Sequence, residues 1–191
     1  MTELLDGIPQ FDTRAGGIGE LIIAGTYLFA YAAHAGQLRK VTGLPYIVHP
    51  LHVAEIVFEA TGDVTHVIAA LLHDTVEDTT ITIEDIYRLF TEEAAVLVEG
   101  LTDPEQDEYE TKPEYKERCC NRILEQSQEV QLIKCADILS NTSDIEHQPD
   151  HWVKAYCNGK LKMVKQMNNA LSTQTQERLE SILNNLGVTN E

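Results

Sequence analysis

Positive charge is what this chain has least of. Residues 1–110 contain four Lys or Arg, at Arg14, Arg39, Lys40 and Arg88, against 20 Asp or Glu. The remainder holds ten basic and 11 acidic residues, for a net charge of -17. That balance argues against duplex DNA, RNA or an anionic membrane as a partner, because each is bound through its phosphates. No segment reaches the ~18 uninterrupted apolar residues of a membrane span. The N-terminus lacks a basic start followed by an apolar core, so no secretory leader is read there. Cysteine is sparse too. Cys119, Cys120, Cys135 and Cys157 have no CxxC spacing, and adjacent cysteines pair poorly. Reduced core thiols in a cytoplasmic setting are expected, rather than a zinc knuckle or a disulfide frame.

Period-two alternation is also missing, so no strand is predicted. Helical periodicity takes its place. With 191 residues, 43% of them apolar, the chain suits one all-α domain. Residues 1–16 have weak periodicity and are assigned to an N-terminal arm, and residues 17–188 to the domain. Helices are predicted over 18–37, from Pro50 to about Gly62 with His49 at the N-cap, and from Asp63 to about His73. Thr82 and Asp85 form a capping-box pattern. Further helices are predicted near 91–100, 113–126, 129–141, 150–170 and 173–186, with a polar loop at 103–112.

The densest chemistry lies in Ala69-Ala70-Leu71-Leu72-His73-Asp74-Thr75-Val76-Glu77-Asp78. One imidazole and three carboxylates follow directly on an apolar helical stretch. Burying that charge is costly unless a cation neutralises it. At 3.6 residues per turn, His73 with Glu77 and Asp74 with Asp78 would share a face. His49, His73, Asp74 and Asp137 supply two imidazoles and two carboxylates, a set suited to Mn²⁺, Fe²⁺ or Zn²⁺ rather than Ca²⁺. Such an ion polarises a phosphoryl group and acidifies a water, leaving Glu77 and Asp78 to orient that water and move protons.

Several of these residues also have plainer readings. Asp137, inside the apolar run Leu132–Leu139, can be a buried hydrogen-bonding carboxylate, with Asn141 one turn on. Arg39-Lys40 is either an anion clamp or a solvated helix end. His34 is read as a packing histidine or as one that supports a ligand, and His52 as structural. Tyr156 can stack on a base or belong to the core.

Four blocks occur in order: His34-Ala-Gly-Gln-Leu-Arg-Lys40, Pro45-Tyr-Ile-Val-His-Pro50, Leu72-His-Asp-Thr-Val-Glu-Asp78 and Lys134-Cys-Ala-Asp-Ile-Leu-Ser-Asn141. Together they resemble the HD-domain hydrolase module of RelA/SpoT proteins, especially the stand-alone small alarmone hydrolases and metazoan SpoT homologues. The resemblance implies a single all-α HD-domain bundle and Mn²⁺-dependent removal of the 3′-pyrophosphate from ppGpp or pppGpp. It implies metal ligation by His49, His73, Asp74 and Asp137, and a catalytic pair at Glu77 and Asp78. It also implies nucleotide contacts at Arg39, Lys40, Asn141 and Tyr156. Other substrates in the same chemistry are an adenine alarmone, the 2′-phosphate of NADPH or a nucleoside phosphate; a non-hydrolysing nucleotide sensor is the non-enzymatic alternative. A homo-oligomer is compatible with the unassigned C-terminal helices. The chain departs from the family pattern at Ile138 and Ser143, where that pattern carries basic residues.

Overall fold

The run Val67-Ile-Ala-Ala-Leu-Leu72 is too apolar to face water on any side, and it becomes the buried axis of the molecule. All six residues are 4% exposed or less. The computed structural model describes residues 17–143 and 145–186. The arm assigned to residues 1–16 lies outside the described residues.

Among the described residues there are ten α-helices: α1 (Ile18–Ala33), α2 (Val48–Thr61), α3 (Val64–Leu72), α4 (Thr75–Asp78), α5 (Ile83–Leu89), α6 (Glu92–Leu101), α7 (Lys112–Glu125), α8 (Gln128–Asn141), α9 (Asp150–Val164) and α10 (Ser172–Asn185). A 3₁₀ turn, Ile145–His147, joins α8 to α9. Among the described residues the only β pairing is an isolated bridge between Leu38 and Pro45. The fold is all-α, as the missing alternation predicts.

The helix starts follow local chemistry. Asp63 caps α3 by accepting from the Thr65 and His66 amides. Thr82 with Asp85, and Thr111 with Glu114, close reciprocal capping boxes on α5 and α7. The Thr91 and Ser127 hydroxyls cap α6 and α8. Helix α3 packs against α1, α2, α6 and α8, while α9 and α10 pair, α10 resting on α8 and α9 against α7. One apolar cluster runs through these helices from Ile23 to Leu183.

Three boundaries around the site differ from the sequence reading, each for a local reason, and α9 stops at Val164, short of the predicted 170. Helix α1 stops at Ala33 because Gly36 turns the chain at φ 81. Helix α2 begins at Val48, so His49 lies inside its first turn and is not the N-cap. The Val48 and His49 amides already bond Pro45 and Tyr46, and Pro50 loses nothing there because first-turn N–H groups have no partner within the helix. Helix α3 ends at Leu72. The Thr75 hydroxyl takes the Leu72 carbonyl at 2.7 Å, and a separate single turn, α4, follows. His73, Asp74, Glu77 and Asp78 therefore do not share one continuous helix. His73 is buried, whereas Glu77 and Asp78 are exposed.

Candidate metal centre and nucleotide cleft

Two histidines are gripped from behind. His73 Nδ1 lies 2.8 Å from the Ala70 carbonyl, an acceptor, so Nδ1 carries a proton and Nε2 is the ring atom that faces inward. His49 Nδ1 lies 2.9 Å from the Ser140 hydroxyl on α8. The two Nε2 atoms then converge with a carboxylate. His73 Nε2 is 3.1 Å from Asp74 Oδ2, and His49 Nε2 is 3.5 Å from the same oxygen. One ligand atom from each of His49, His73 and Asp74 falls within 4.8 Å of the others.

Asp137 adjoins this group, its Oδ1 3.3 Å from His49 Nε2. Its other bonds are to Lys134 Nζ at 2.8 Å and the Asn141 amide at 2.6 Å. Both sequence readings of Asp137 thus coincide: it is a buried hydrogen-bonding carboxylate, and it stands beside the imidazoles.

The donor set fits a divalent ion on its geometry. His73 Nε2 is buried and makes no hydrogen bond, even with Asp74 Oδ2 so near. A buried imidazole nitrogen without a well-aligned hydrogen bond, beside a carboxylate oxygen, suits coordination of a shared ion. Electrostatics agree. Burial opposes charge on His73, but the Asp74 carboxylate overcomes it and pushes the imidazole up to about 9. Burial also works against the charge on Asp137, yet Lys134 and then His49 hold its carboxyl well below the usual range. The pocket attracts positive charge, as a cation site must.

The supporting residues were mostly not legible in the sequence. The Tyr46 hydroxyl donates to Asp74 Oδ2 at 2.7 Å. Ser140 is shared by His49 and by His52, whose Nδ1 lies 3.1 Å away, so His52 keeps its structural reading. His34 is buried with its ring 4.8 Å from Tyr46, behind the Asp74 contact. A polar residue inside the apolar Ile138-Leu139-Ser140 run was the one signal that pointed to Ser140.

Glu77 and Asp78 flank the centre from α4. Glu77 Oε1 accepts the Asp103 amide at 2.6 Å, which ties α4 to the loop after α6. Although the residue as a whole is exposed, partial loss of water around the carboxyl raises it above the ordinary value despite that bond. The Asp78 carbonyl accepts from Gln37 Nε2.

A cleft of about 570 Å³ opens beside these residues, lined by Arg39, Lys40, Asp78, Asn141, Trp152 and Tyr156 among others. Arg39 donates through both terminal nitrogens to Asn141 Oδ1, each at 3.2 Å, across 102 residues of sequence. Tyr156 stacks on Trp152 with centroids 5.3 Å apart. The sequence-predicted nucleotide contacts Arg39, Lys40, Asn141 and Tyr156 therefore share one cleft wall. Ile138 is fully buried in the core, and neither it nor Ser143 lines this cleft.

An all-α bundle with paired imidazoles and carboxylates at its centre defines an HD-type protein. The HD domain family profile matches residues 26–163, and the chain belongs to that family. It is homologous to SpoT and RelA proteins. It is 39% identical over 128 residues to a probable guanosine-3′,5′-bis(diphosphate) 3′-pyrophosphohydrolase of Synechocystis, covering 65% of this chain and 17% of that protein. It is 44% identical over 121 residues to the guanosine-3′,5′-bis(diphosphate) 3′-pyrophosphohydrolase of Aquifex aeolicus, covering 62% and 17%. The chain thus spans 17% of the length of these curated relatives. A solved metazoan ortholog of SpoT, described as hydrolysing ppGpp, superposes with a TM-score of 0.74 at 27% identity, covering 87% of this chain and 96% of that one.

Proposed function

We propose that this protein hydrolyses the 3′-pyrophosphate of guanosine alarmones, converting ppGpp or pppGpp to GDP or GTP plus pyrophosphate. The observation that carries the reading is the convergence of His49 Nε2, His73 Nε2 and Asp74 Oδ2 beside a cleft walled by Arg39, Lys40 and Asn141. The named activities of the Synechocystis and Aquifex relatives and of the metazoan ortholog support it.

His49, His73, Asp74 and Asp137 would hold one divalent ion, Mn²⁺ in preference to Fe²⁺ or Zn²⁺. Bound there, such an ion supplies Lewis-acid polarisation of a phosphoryl oxygen and acidifies water. The chain's residues do the rest. Arg39 and Lys40 bind phosphate oxygens, and Tyr156, stacked on Trp152, offers a face to the base. Glu77 accepts a proton from the attacking water, and the Glu77–Asp78 pair returns a proton to the departing 3′-oxygen. The bond that breaks joins that oxygen to the proximal phosphorus.

The hydrolase domain is taken to run over residues 17–188. Four free cysteines agree with a reducing, cytoplasmic setting, and no helix among the described residues is long and apolar enough to cross a membrane.

The test is to incubate metal-stripped protein with ppGpp, with and without Mn²⁺, and to resolve GDP, pyrophosphate and orthophosphate. Manganese-dependent release of GDP and pyrophosphate together is expected. Orthophosphate alone from a wider nucleotide panel would indicate a monoesterase, and tight binding with no product a sensor.

A further inference from the structure

A second cavity, of about 380 Å³, lies on the other side of Tyr156 from the nucleotide cleft. Its lining includes Lys116, Lys134, Lys160, Asp103, Cys119 and Tyr156. Two of its walls belong to the reaction centre. Lys134 Nζ is 2.8 Å from Asp137 Oδ2, and the Asp103 amide donates to Glu77. The cavity therefore begins one side chain away from both the metal centre and the proposed base.

Its charge is not balanced from within. Lys134 is committed to Asp137. Lys160 is half-buried, with no ion pair or hydrogen bond among the described residues, although Asp137 and Asp103 offset part of its charge at longer range. Its nearest compensation is the Tyr156 ring, 5.9 Å from Nζ. Burial, and then the neighbouring Lys134, lower its affinity for a proton. Withdrawing an ammonium from water beside a second ammonium is costly unless an anion joins them. The Tyr156 hydroxyl is also buried without a partner, and a phenol there needs an acceptor. Three lysines against one aspartate, with an idle O–H donor, around one void describe a receptor for an oxyanion.

We propose that this cavity binds the diphosphate the reaction releases, with Lys160 and the Tyr156 hydroxyl holding its distal phosphate. The inference rests on the alarmone-hydrolase reading. Tyr156 then divides the substrate, with nucleoside on the Arg39 side and pyrophosphate on the Lys160 side. Lys160 acts as a binding residue for the leaving product and takes no part in proton transfer.

The test is calorimetric titration of the full chain with inorganic pyrophosphate and, separately, with GDP, each ligand pre-mixed with equimolar Mn²⁺ and a protein-free blank subtracted to remove the heat of chelation. Losing one charge-assisted contact in Lys160→Met should weaken pyrophosphate binding by ~10-fold or more. Lys160→Arg should restore it, and GDP affinity should not change in either variant. The Lys160→Met thermal midpoint should equal or exceed that of the unmodified protein, because a costly buried charge is gone. A loss of pyrophosphate affinity below about threefold, less than such a contact is worth, overturns the proposal, as does a chain that binds no pyrophosphate. Lys160-dependent pyrophosphate binding without ppGpp cleavage would sink the hydrolase reading and leave the anion site standing. Cleavage with Lys160-independent binding would do the reverse.

Discussion

Each imidazole of the centre depends on what holds its far nitrogen. His73 uses a carbonyl of its own helix, Ala70, so its tautomer is built into α3. His49 relies on the Ser140 hydroxyl, 91 residues away, which His52 also contacts. Ser140→Ala should leave the fold intact and lower metal affinity by ~10–100-fold, the usual effect of removing a group that orients a ligand. A competition titration against a chromophoric chelator reads this directly, and an unchanged affinity would show that Ser140 does not orient His49. Glu77 offers a second test. Its carboxyl is raised by partial desolvation, and the ionised form is the one able to accept a proton. Falling pH should therefore cut kcat/KM through a limb lying above the ordinary glutamate value of about 4.3. The linkage sign for stability is opposite to that of a paired carboxylate. A folded-state value above the unfolded one means that stability falls as pH rises through it. Glu77→Gln should thus abolish turnover, retain metal binding and melt no lower than the unmodified protein at neutral pH.

At the scale of elements, the break between α3 and α4 separates tasks. The buried end of α3 delivers His73, whereas the exposed single turn of α4 brings Glu77 and Asp78 to the lip of the cleft. One unbroken helix would have carried all four residues on a single rod. The Asp103 amide and Gln37 side chain then hold α4 from two directions. A second close contact sets the spacing of α6 and α8. A Cβ at Gly100 would lie 2.8 Å from Val130 Cγ2 and 3.1 Å from Gln126 Oε1. Val130 is buried, so it has little room to yield. Gly100→Ala should cost ~1–3 kcal/mol by overpacking. Gly159→Ala on α9, where the same test finds open space, should gain ~0.5–1 kcal/mol from helix propensity. Urea midpoints of the two variants moving in the same direction would contradict the packing account.

For the whole molecule, the governing quantity is the net charge of -17. On the proposed reading, a polyphosphorylated nucleotide would approach against that field and be held by a local cluster of cations around the cleft. At ~10 mM salt the Debye length is about 30 Å, so the substrate feels the entire protein. At physiological ionic strength it is about 8 Å, and the nearby Arg39, Lys40 and Lys160 dominate. The value of kcat/KM for ppGpp should therefore rise between those two conditions. The usual fall, seen when an enzyme steers its substrate inward, would show that the local cations control the approach from long range.

Much of the fold could be read from the residues alone. Absent alternation excluded strands, and the Thr82–Asp85 pattern and the helix predicted from residue 113 marked helix starts, because capping and periodicity act over a few residues. The ligand types were legible for the same local reason: charge in an apolar run has to be neutralised, wherever the run ends up. Partnership across the chain was not. Arg39 meeting Asn141, Ser140 bracing His49 and Lys160 facing Lys134 depend on how α2, α8 and α9 cross, and no short-range rule encodes a crossing. The sequence determined which chemistries the protein can hold. Tertiary packing decided which of those groups share one dry space, since distance between helices is set by the fit of whole surfaces.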